Sequence, residues 1–363
     1  MMKKNAARFK EKVLKYQALL IYIPGSPDPD AIASAYALKE ILKTYNIKAD
    51  IFAEKELSLP QNQLFLNLIN IPVFFGKEPD TKNYEAYIVP DFQNNLVENI
   101  SDELPCVAHI DHHSASSQVV PAEFSLIRTD AGSTSTLVTL LLEALGPDLS
   151  YQDLVFVSTA LVYGIQTDTD QFYHITRLDI EALDFLIHNA DQGILKNINS
   201  LPPPKELLGI YRQTKDDAVS YRGWGFYGLG YISSSSRDYL ALIADMVLKS
   251  SGHNTVAVFA LIENPDNKEL YLDVSLRTKS RTLDLNRIIK QITSNGGGRQ
   301  YKGAYQVKLD YFLHTPEKEL FWQAVKATTI DILQKNRDTL YRAGIENIYS
   351  AFKEKLAAIF NKD

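Results

Sequence analysis

Short apolar runs alternate with helix-like segments along the first half of the chain. The apolar runs have strand length, and residues 31–43 show the periodicity of an amphipathic helix between the first two. The four predicted strands are residues 18–23, 47–53, 84–89 and 106–110. Further helices are predicted at residues 133–145, 153–163 and 178–187. This alternation predicts an α/β domain built on a parallel sheet.

The pattern changes after a proline-rich stretch, Leu201-Pro202-Pro203-Pro204. Beyond it, the predicted elements are strands at residues 225–232, 255–262 and 270–276, a helix at 237–249 and a turn at 264–267. From residue 317 the pattern is helical, and one face carries Ile345, Ile348, Tyr349, Phe352, Leu356 and Ile359. We expect a domain over residues 1–190, a linker over 191–205, a smaller α/β domain over 206–315 and a helical extension over 316–363.

Composition narrows the function classes. The chain has 363 residues, 45% of them hydrophobic and 23% charged, as in ordinary folded proteins. Its single cysteine, Cys106, excludes an intrachain disulfide and a cysteine-rich metal site. The net charge of −6 argues against a surface that grips duplex DNA, although a local cationic pocket can still hold a short nucleotide. No apolar stretch has transmembrane length and no signal-type segment is present, so we expect a cytoplasmic protein without membrane association.

Polar side chains follow three of the predicted strands. Asp28 and Asp30 follow the first strand, Asp91 the third, and His109-Ile110-Asp111-His112-His113 the fourth. Ligands of open α/β sheets bind at the carboxyl ends of the strands, and a cluster of buried histidines is costly unless it binds a metal or is paired. A second interpretation of Asp28 and Asp30, as a turn and a helix N-cap, is the better one for that pair alone.

A fourth motif, residues 164–172, contributes Asp168 after a predicted apolar helix. We expect this carboxylate in a loop. By itself the motif is weak, because Asp-Thr-Asp sequences are common in surface turns.

Together, the order and spacing of these motifs resemble the DHH phosphoesterases over roughly residues 15–190, a superfamily that includes RecJ-type nucleases, nanoRNases and pAp phosphatases. The resemblance implies metal ligands at Asp28, Asp30, Asp91, His112 and Asp168, with Asp91 bridging two ions. It implies catalytic roles for His113, as a proton donor, and for Asp111, which would orient the histidines. Mn²⁺ is the expected cofactor, with Mg²⁺ and Co²⁺ as alternatives, as one or two ions. The family usually has a histidine where this chain has Pro24, so one metal position is expected to be weaker, to recruit a water molecule or to be missing.

Two segments of the second half resemble the DHH-associated domain. They are Val274-Ser275-Leu276-Arg277-Thr278 and Asn295-Gly296-Gly297-Gly298-Arg299. The resemblance implies that Arg277, Gly296, Gly297, Gly298 and Arg299 bind substrate phosphates, with Arg299 in place of the family's histidine. Arginine keeps phosphate-binding ability but cannot donate a proton at neutral pH. The alternative interpretation of the glycines is a flexible turn.

The expected function is that of a metal-dependent phosphoesterase, fold class α/β, that hydrolyses short oligonucleotides, dinucleotides or 3′-phosphoadenosine 5′-phosphate. Pro24 and Arg299 keep open a catalytically impaired protein that binds nucleotide or phosphate without turnover. A polyphosphate or pyrophosphate hydrolase is the other alternative. The expected partner is a small nucleotide or a short single strand, and the C-terminal apolar face leaves a homodimer open.

Overall fold

The computed structural model describes residues 2–57, 59–97, 100–113, 120–214, 218–264 and 268–360, the last of these as backbone alone from residue 340 onwards. The chain divides into two compact units, Met1–Pro202 and Pro203–Asp363. Most of the turn predicted at residues 264–267 lies outside the described residues, as do the side chains of the predicted C-terminal apolar face.

Unit 1 contains a sheet of six strands, all parallel to their neighbours. They are β1 (Ala18–Ile23), β2 (Lys48–Ala53), β3 (Val73–Phe75), β4 (Ala86–Pro90), β5 (Cys106–Asp111) and β6 (Phe124–Ile127). The prediction of a parallel α/β domain is therefore confirmed. Sequence reasoning missed β3 and β6, which are only three and four residues long and too short for a clear period.

The helices of unit 1 connect and cover these strands. They are α1 (Met2–Val13), α2 (Pro29–Thr44), α3 (Pro60–Ile69), α4 (Thr134–Leu145), α5 (Tyr151–Asp168), α6 (Arg177–Ile187) and α7 (Gln192–Asn199). The segment expected as a linker thus contains α7, whose Leu195 and Ile198 are buried in the main core of unit 1. Burial of these apolar side chains explains why the stretch folds as a helix rather than remaining an open connector.

The two faces of the sheet bury different sets of side chains, because neighbouring residues of a strand point to opposite faces. Leu19 and Ile21 of β1 belong to the large core shared with the helices, whereas Leu20 and Tyr22 belong to a smaller cluster with Tyr87 and other side chains. Both faces of β1 are therefore covered, as is typical of a parallel sheet.

The strand order β3-β2-β1-β4-β5-β6 reverses direction between β1 and β4. Connections from the carboxyl ends of these two neighbouring strands run to opposite sides, which leaves a crevice at that edge of the sheet. The segments that follow β1 and β4 carry Asp28, Asp30 and Asp91. The topology itself therefore brings these carboxylates to the usual ligand position of the fold.

Unit 2 is built on a second six-stranded sheet, in the order β11-β12-β10-β9-β8-β7. Its strands are β7 (Val219–Tyr221), β8 (Trp224–Ser233), β9 (Thr255–Asn264), β10 (Glu269–Thr278), β11 (Gly296–Gly298) and β12 (Lys302–Lys308). Its helices are α8 (Lys205–Gln213), α9 (Tyr239–Ser250), α10 (Leu285–Ile292) and the 43-residue α11 (Lys318–Phe360). Only β8 and β9 pair in parallel, and α9 connects them. Trp322 of α11 is buried against Phe259 of β9, so the first part of the C-terminal helix belongs to the core of unit 2.

Close packing of α2, α4 and α5 depends on a glycine inside α5. A Cβ at Gly164 would lie 2.2 Å from Ser135 Oγ and 3.2 Å from the Cβ of Ala33. We expect Gly164→Ala to lower the free energy of unfolding by about 1–3 kcal/mol, because overpacking a close contact outweighs the gain in helix propensity. Thermal unfolding checks this.

Gly209→Ala is the matched control, since it lies in α8 and no atom comes within 4 Å of its added Cβ. That variant should be slightly more stable than the wild type, by about 0.5–1 kcal/mol. Equal unfolding temperatures for Gly164→Ala and the wild type would show that the three helices accommodate the added methyl group without loss of stability.

Candidate metal centre

Asp30 is one of the fully buried carboxylates of the site. It lies in the first turn of α2, and its side chain is fully buried. Its two oxygens accept hydrogen bonds from the backbone N–H groups of Thr134 (2.8 Å) and Ser135 (2.7 Å). These donors belong to the N-terminus of α4, where free N–H groups and the helix dipole favour a negative charge. The carboxylate is therefore fixed in place before any ligand binds.

Asp91 directly follows β4 and has a left-handed backbone, with φ of +55°. Two hydrogen bonds between this segment and β5 hold the conformation. The Asp91 N–H donates to the carbonyl of Ile110 (2.9 Å), and His109 Nε2 donates to the carbonyl of Phe92 (2.7 Å). His109 is fully buried, and its Nδ1 has no partner among the described residues. The neighbouring strand thus sets the direction in which the Asp91 carboxylate points.

His112 lies between two carboxylates. Its Nδ1 is 3.3 Å from the carbonyl of Ala131, and its Nε2 is 3.1 Å from Asp168 Oδ2 and 3.6 Å from Asp91 Oδ1. If Nδ1–H donates to the carbonyl, the lone pair of Nε2 faces two negative oxygens. That arrangement calls for a positive charge between them, either a proton or a metal ion.

His113 is oriented by its neighbour Asp111. His113 Nδ1 donates to Asp111 Oδ1 over 2.8 Å, which leaves Nε2 as the atom that can bind a ligand or transfer a proton. Burial alone would raise the pKa of Asp111, but the hydrogen bond and charge of His113 outweigh it, so this pKa is lower than usual. Its second oxygen, Oδ2, is buried and has no partner among the described residues.

Two overlapping groups of side chains in unit 1 have the spacing of a metal site. Asp91, His112 and His113 form one group, and Asp30, His112 and Asp168 form the other. In each group the potential ligand atoms lie within 4.8 Å of one another. The structure therefore gathers four of the five expected ligands and adds His113, for which the sequence indicated only proton transfer.

Asp28 is the expected ligand that belongs to neither group among the described residues. It is exposed, and it caps α2 by accepting a hydrogen bond from the Ala31 N–H (2.9 Å). Pro24, at the position of the family's usual histidine, is half-buried. The alternative interpretation of Asp28 as an N-cap thus describes its geometry, and its role as a ligand remains a prediction.

Asp168 ends helix α5 instead of lying in a loop. The helix continues to this residue, five positions beyond the predicted end, and Thr169 is its C-cap. A carboxylate is unfavourable at the negative end of a helix dipole. The next turn contains three successive left-handed residues, Asp170, Gln171 and Phe172. Both features are typical of a strained functional segment.

The carboxylates of this centre repel one another. Burial raises the pKa of Asp30 well above its usual value, and the charges of Asp168 and Asp28 raise it further. Burial also raises the pKa of Asp91, with added effects of Asp30 and Asp28. A divalent cation would relieve both the burial and the repulsion, and mixed carboxylate and imidazole donors suit Mn²⁺ and related ions. The residues present therefore fit a metal ion.

Sequence reasoning missed the polar support beneath these ligands. Asp179 is buried and accepts hydrogen bonds from Gly132 N–H (2.9 Å) and Thr136 Oγ1 (2.5 Å), which fixes the segment that leads into α4. At the start of α4, Thr134 Oγ1 donates to Asp91 Oδ1 (2.8 Å). Thr134 thus contacts Asp30 through its backbone and Asp91 through its side chain. Serine and threonine are common at helix starts, so the run Thr134-Ser135-Thr136 does not by itself indicate this support.

We expect Thr134→Val to weaken metal binding by about 10–100-fold, because loss of a hydrogen bond to a ligating carboxylate typically has an effect of that size. Calorimetric titration with Mn²⁺ measures this. Thr139→Val is the matched control, because Thr139 is buried in the same helix and its hydroxyl donates only to the carbonyl of Ser135. Similar affinities for both variants would remove Thr134 from the support of the centre.

The expected substrate-binding residues of unit 2 lie at one end of its sheet. Arg277 pairs with Lys302 in the ladder between β10 and β12, and its side chain donates to Asp245 (2.5 Å) and Ser275 (3.0 Å). Arg299 lies at the turn between β11 and β12, and its guanidinium donates to the hydroxyl of Tyr301 (3.2 Å). Both arginines are thus held in defined positions.

The three glycines form strand β11 and pack against β12. A Cβ at Gly296 would lie 2.4 Å from the Cβ of Tyr305, and one at Gly298 would lie 2.3 Å from the carbonyl oxygen of Lys302. Close approach of the two strands therefore explains why no side chain fits. The Gly298 N–H donates to Asn286 Oδ1 (3.1 Å), and the phosphate-binding role of the glycines remains a prediction.

The fold and this cluster of carboxylates and imidazoles define an α/β protein with a candidate divalent-metal centre at the switch point of its sheet. Residues 19–165 match the family model described as the DHH family, N-terminal domain. This match confirms, for the N-terminal part of the chain, the resemblance to the DHH family that the sequence motifs indicate. No helix among the described residues is long and apolar enough to cross a membrane.

Two similar proteins extend this comparison. The chain is 30% identical over 326 residues to an uncharacterized protein of Methanocaldococcus jannaschii, a match that covers 88% of this chain and 65% of that relative. Among solved structures, an exopolyphosphatase-related protein from Bacteroides fragilis has a TM-score of 0.64 at 16% identity. That match covers 89% of this chain and 98% of the other protein. At this sequence identity it shows that the two proteins share a fold.

Proposed function

We propose that this protein is a metal-dependent phosphoesterase that hydrolyses small nucleotide-type substrates: short oligonucleotides, dinucleotides or 3′-phosphoadenosine 5′-phosphate. One observation carries the proposal. Two groups of potential ligands overlap at His112 at the carboxyl edge of a DHH-family sheet, and the pKa values of Asp30 and Asp91 are raised by burial and mutual repulsion. Because His112 offers a single free Nε2, it would ligate one ion, and a second neighbouring ion would be held through a carboxylate such as Asp91; Mn²⁺ is the first candidate.

When bound, a divalent ion supplies an activated water and offsets the charge of the phosphate. The protein contributes position and proton control. Asp30, Asp91, His112 and Asp168 would hold the metal, and the N–H groups of α4 and the Thr134 hydroxyl fix the carboxylates of Asp30 and Asp91. The Asp111 carboxylate accepts from His113 Nδ1–H and would stabilise the imidazolium form of His113, whose Nε2–H can donate its proton to the leaving oxygen and leave neutral imidazole behind.

The experiment is a turnover assay on the purified chain with Mn²⁺, Mg²⁺ or Co²⁺ and with chelator. The substrate panel contains dinucleotides, short single strands, 3′-phosphoadenosine 5′-phosphate, pyrophosphate and polyphosphate. Metal-dependent hydrolysis of the nucleotides supports the proposal. Hydrolysis of polyphosphate or pyrophosphate alone would overturn the substrate class, and nucleotide binding without turnover would favour the impaired protein that Pro24 and Arg299 suggest.

A further inference from the structure

The last residues of strand β5 include two polar side chains that are fully buried and have one unpartnered atom each. They are His109, whose Nδ1 has no hydrogen-bond partner among the described residues, and Asp111, whose Oδ2 has none there either. An unpaired buried polar atom costs free energy, and such atoms are rare in folded proteins. Two of them, two residues apart on one strand, call for a common explanation.

The two side chains point to the same face of the sheet, because residues of a strand alternate between its faces. In the ladder between β4 and β5, His109 lies next to Val89, which belongs to the smaller apolar cluster of unit 1. Two residues along a strand span about 6.6 Å. This spacing is too long for a direct hydrogen bond and close to the length of two hydrogen bonds in series, about 5.5 Å.

The hydrogen bond on the other side of the imidazole decides what His109 Nδ1 can do. The carbonyl of Phe92 can only accept, so the proton of this 2.7 Å bond belongs to His109 Nε2, and Nδ1 is left with a lone pair. Asp111 accepts from His113 Nδ1 (2.8 Å) as a carboxylate, which is an acceptor at both oxygens. Two neighbouring acceptors require a group that donates twice, and a water molecule is the smallest such group.

A metal ion matches this position less well than water. Zinc takes about four ligands and magnesium about six. Here the described residues offer one imidazole nitrogen and one carboxylate oxygen as unpartnered atoms. The position is therefore suited to a double hydrogen-bond donor and not to a further cation.

We propose that a buried water molecule donates to both His109 Nδ1 and Asp111 Oδ2, and that His109 is a positioning residue for both halves of the candidate centre. Through Nε2 it holds Phe92 and thereby the expected ligand Asp91. Through Nδ1 and the water it holds the carboxylate that orients His113. One imidazole thus links the orientation of a metal ligand to that of the proton donor. The inference rests on the proposed function for the roles of Asp91 and His113.

Two substitutions remove the two contacts of His109 one at a time. The amide nitrogen of glutamine reaches the place of Nε2, so His109→Gln keeps the donor to Phe92 and loses the acceptor at Nδ1. Asparagine matches Nδ1 instead, so His109→Asn keeps an acceptor for the water and loses the contact with Phe92. His109→Gln should lower kcat by about 10–100-fold with Mn²⁺ affinity retained. His109→Asn should weaken Mn²⁺ binding by about 10–100-fold and keep kcat at saturating metal.

Val107→Ala is the control for lost packing, because Val107 is fully buried on the same strand and has no polar atom in its side chain. It should lower the unfolding temperature and leave kcat and Mn²⁺ affinity unchanged. Wild-type kcat in His109→Gln would overturn the role of Nδ1. Loss of both kcat and Mn²⁺ affinity in each His109 variant would overturn the division of roles between the two nitrogens.

NMR of metal-free protein with ¹⁵N-labelled histidine tests the proposal without turnover. In the wild type the ring proton of His109 should be on Nε2, and a proton on Nδ1 would overturn the proposal. The Nδ1–H signal of His113 should exchange faster with solvent in His109→Gln than in the wild type, because the Asp111 carboxylate loses its support.

The two proposals fail in different ways. A chain that shows both NMR results but hydrolyses no nucleotide would reject the phosphoesterase and keep the positioning role of His109. Metal-dependent hydrolysis together with an unchanged His113 signal in His109→Gln would do the reverse.

Discussion

Asp91→Asn should reduce metal-dependent turnover by at least about 10³-fold, because a bound metal contributes several kcal/mol of transition-state stabilisation and Asp91 is the expected bridging ligand. Asparagine is the informative replacement. It has the same size and tolerates the left-handed backbone at this position, so the loss reports on the charge and not on the fold. Turnover and Mn²⁺ affinity are measured on the same preparations.

Two further variants distinguish the loss of a charge, the loss of a metal ligand and the loss of proton transfer. Asp184→Ala removes one exposed carboxylate from α6 and should retain full activity. His113→Ala should slow turnover by about 10²–10⁴-fold while metal affinity stays nearly intact, if its role is proton transfer. Loss of metal as complete as in Asp91→Asn would instead make His113 a ligand, as its place beside Asp91 and His112 allows. Wild-type activity in Asp91→Asn would exclude the proposed centre.

Metal-free protein should lose stability as the pH rises, and Mn²⁺ should reverse this loss. Asp30 and Asp91 have pKa values in the folded state above the usual carboxyl value. Between the usual and the raised pKa, the folded protein binds more protons than the unfolded chain, so the free energy of unfolding falls as the pH increases. The contribution is complete below the usual carboxyl pKa and is lost as the pH passes the raised one.

Thermal unfolding with chelator and with Mn²⁺, from about pH 5 to about pH 8, tests this expectation. A metal at 100 times its Kd stabilises the folded state by about 2.7 kcal/mol, and the effect should grow with pH because protons compete for the same carboxylates. Asp30→Asn/Asp91→Asn should flatten the pH dependence in chelator and remove the response to metal. Unfolding temperatures that are independent of pH in metal-free wild type would contradict the raised pKa values.

The sequence was sufficient for the fold class and for most of the side chains that the structure brings together at the candidate metal centre. Strands β1 and β4 are continuous apolar runs and β2 and β5 are largely apolar; polar motifs follow β1 and β4 and end β5, so this part of the sheet edge could be predicted from the apolar runs. Asp30, Asp91, His112 and Asp168 meet as the order of the motifs implied.

What the sequence could not provide depends on contacts between distant residues. The support of Asp30 by α4 joins residues 30 and 135, and Asp179 fixes the start of that helix from 47 residues beyond Gly132. Serine, threonine and aspartate at helix starts are common caps, so their pattern does not reveal a distant carboxylate.

The left-handed backbone of Asp91 limits how this centre can evolve. Aspartate, asparagine and glycine adopt such a conformation readily, whereas a longer ligand such as glutamate would carry a penalty of roughly 1–2 kcal/mol. The central ligand can therefore hardly be lengthened to suit a larger ion. Adaptation to another metal is easier at His112 and Asp168, because neither is among the residues with positive φ in the described chain. The candidate centre thus combines one position whose backbone restricts the choice of side chain with two positions, His112 and Asp168, that this restriction does not affect.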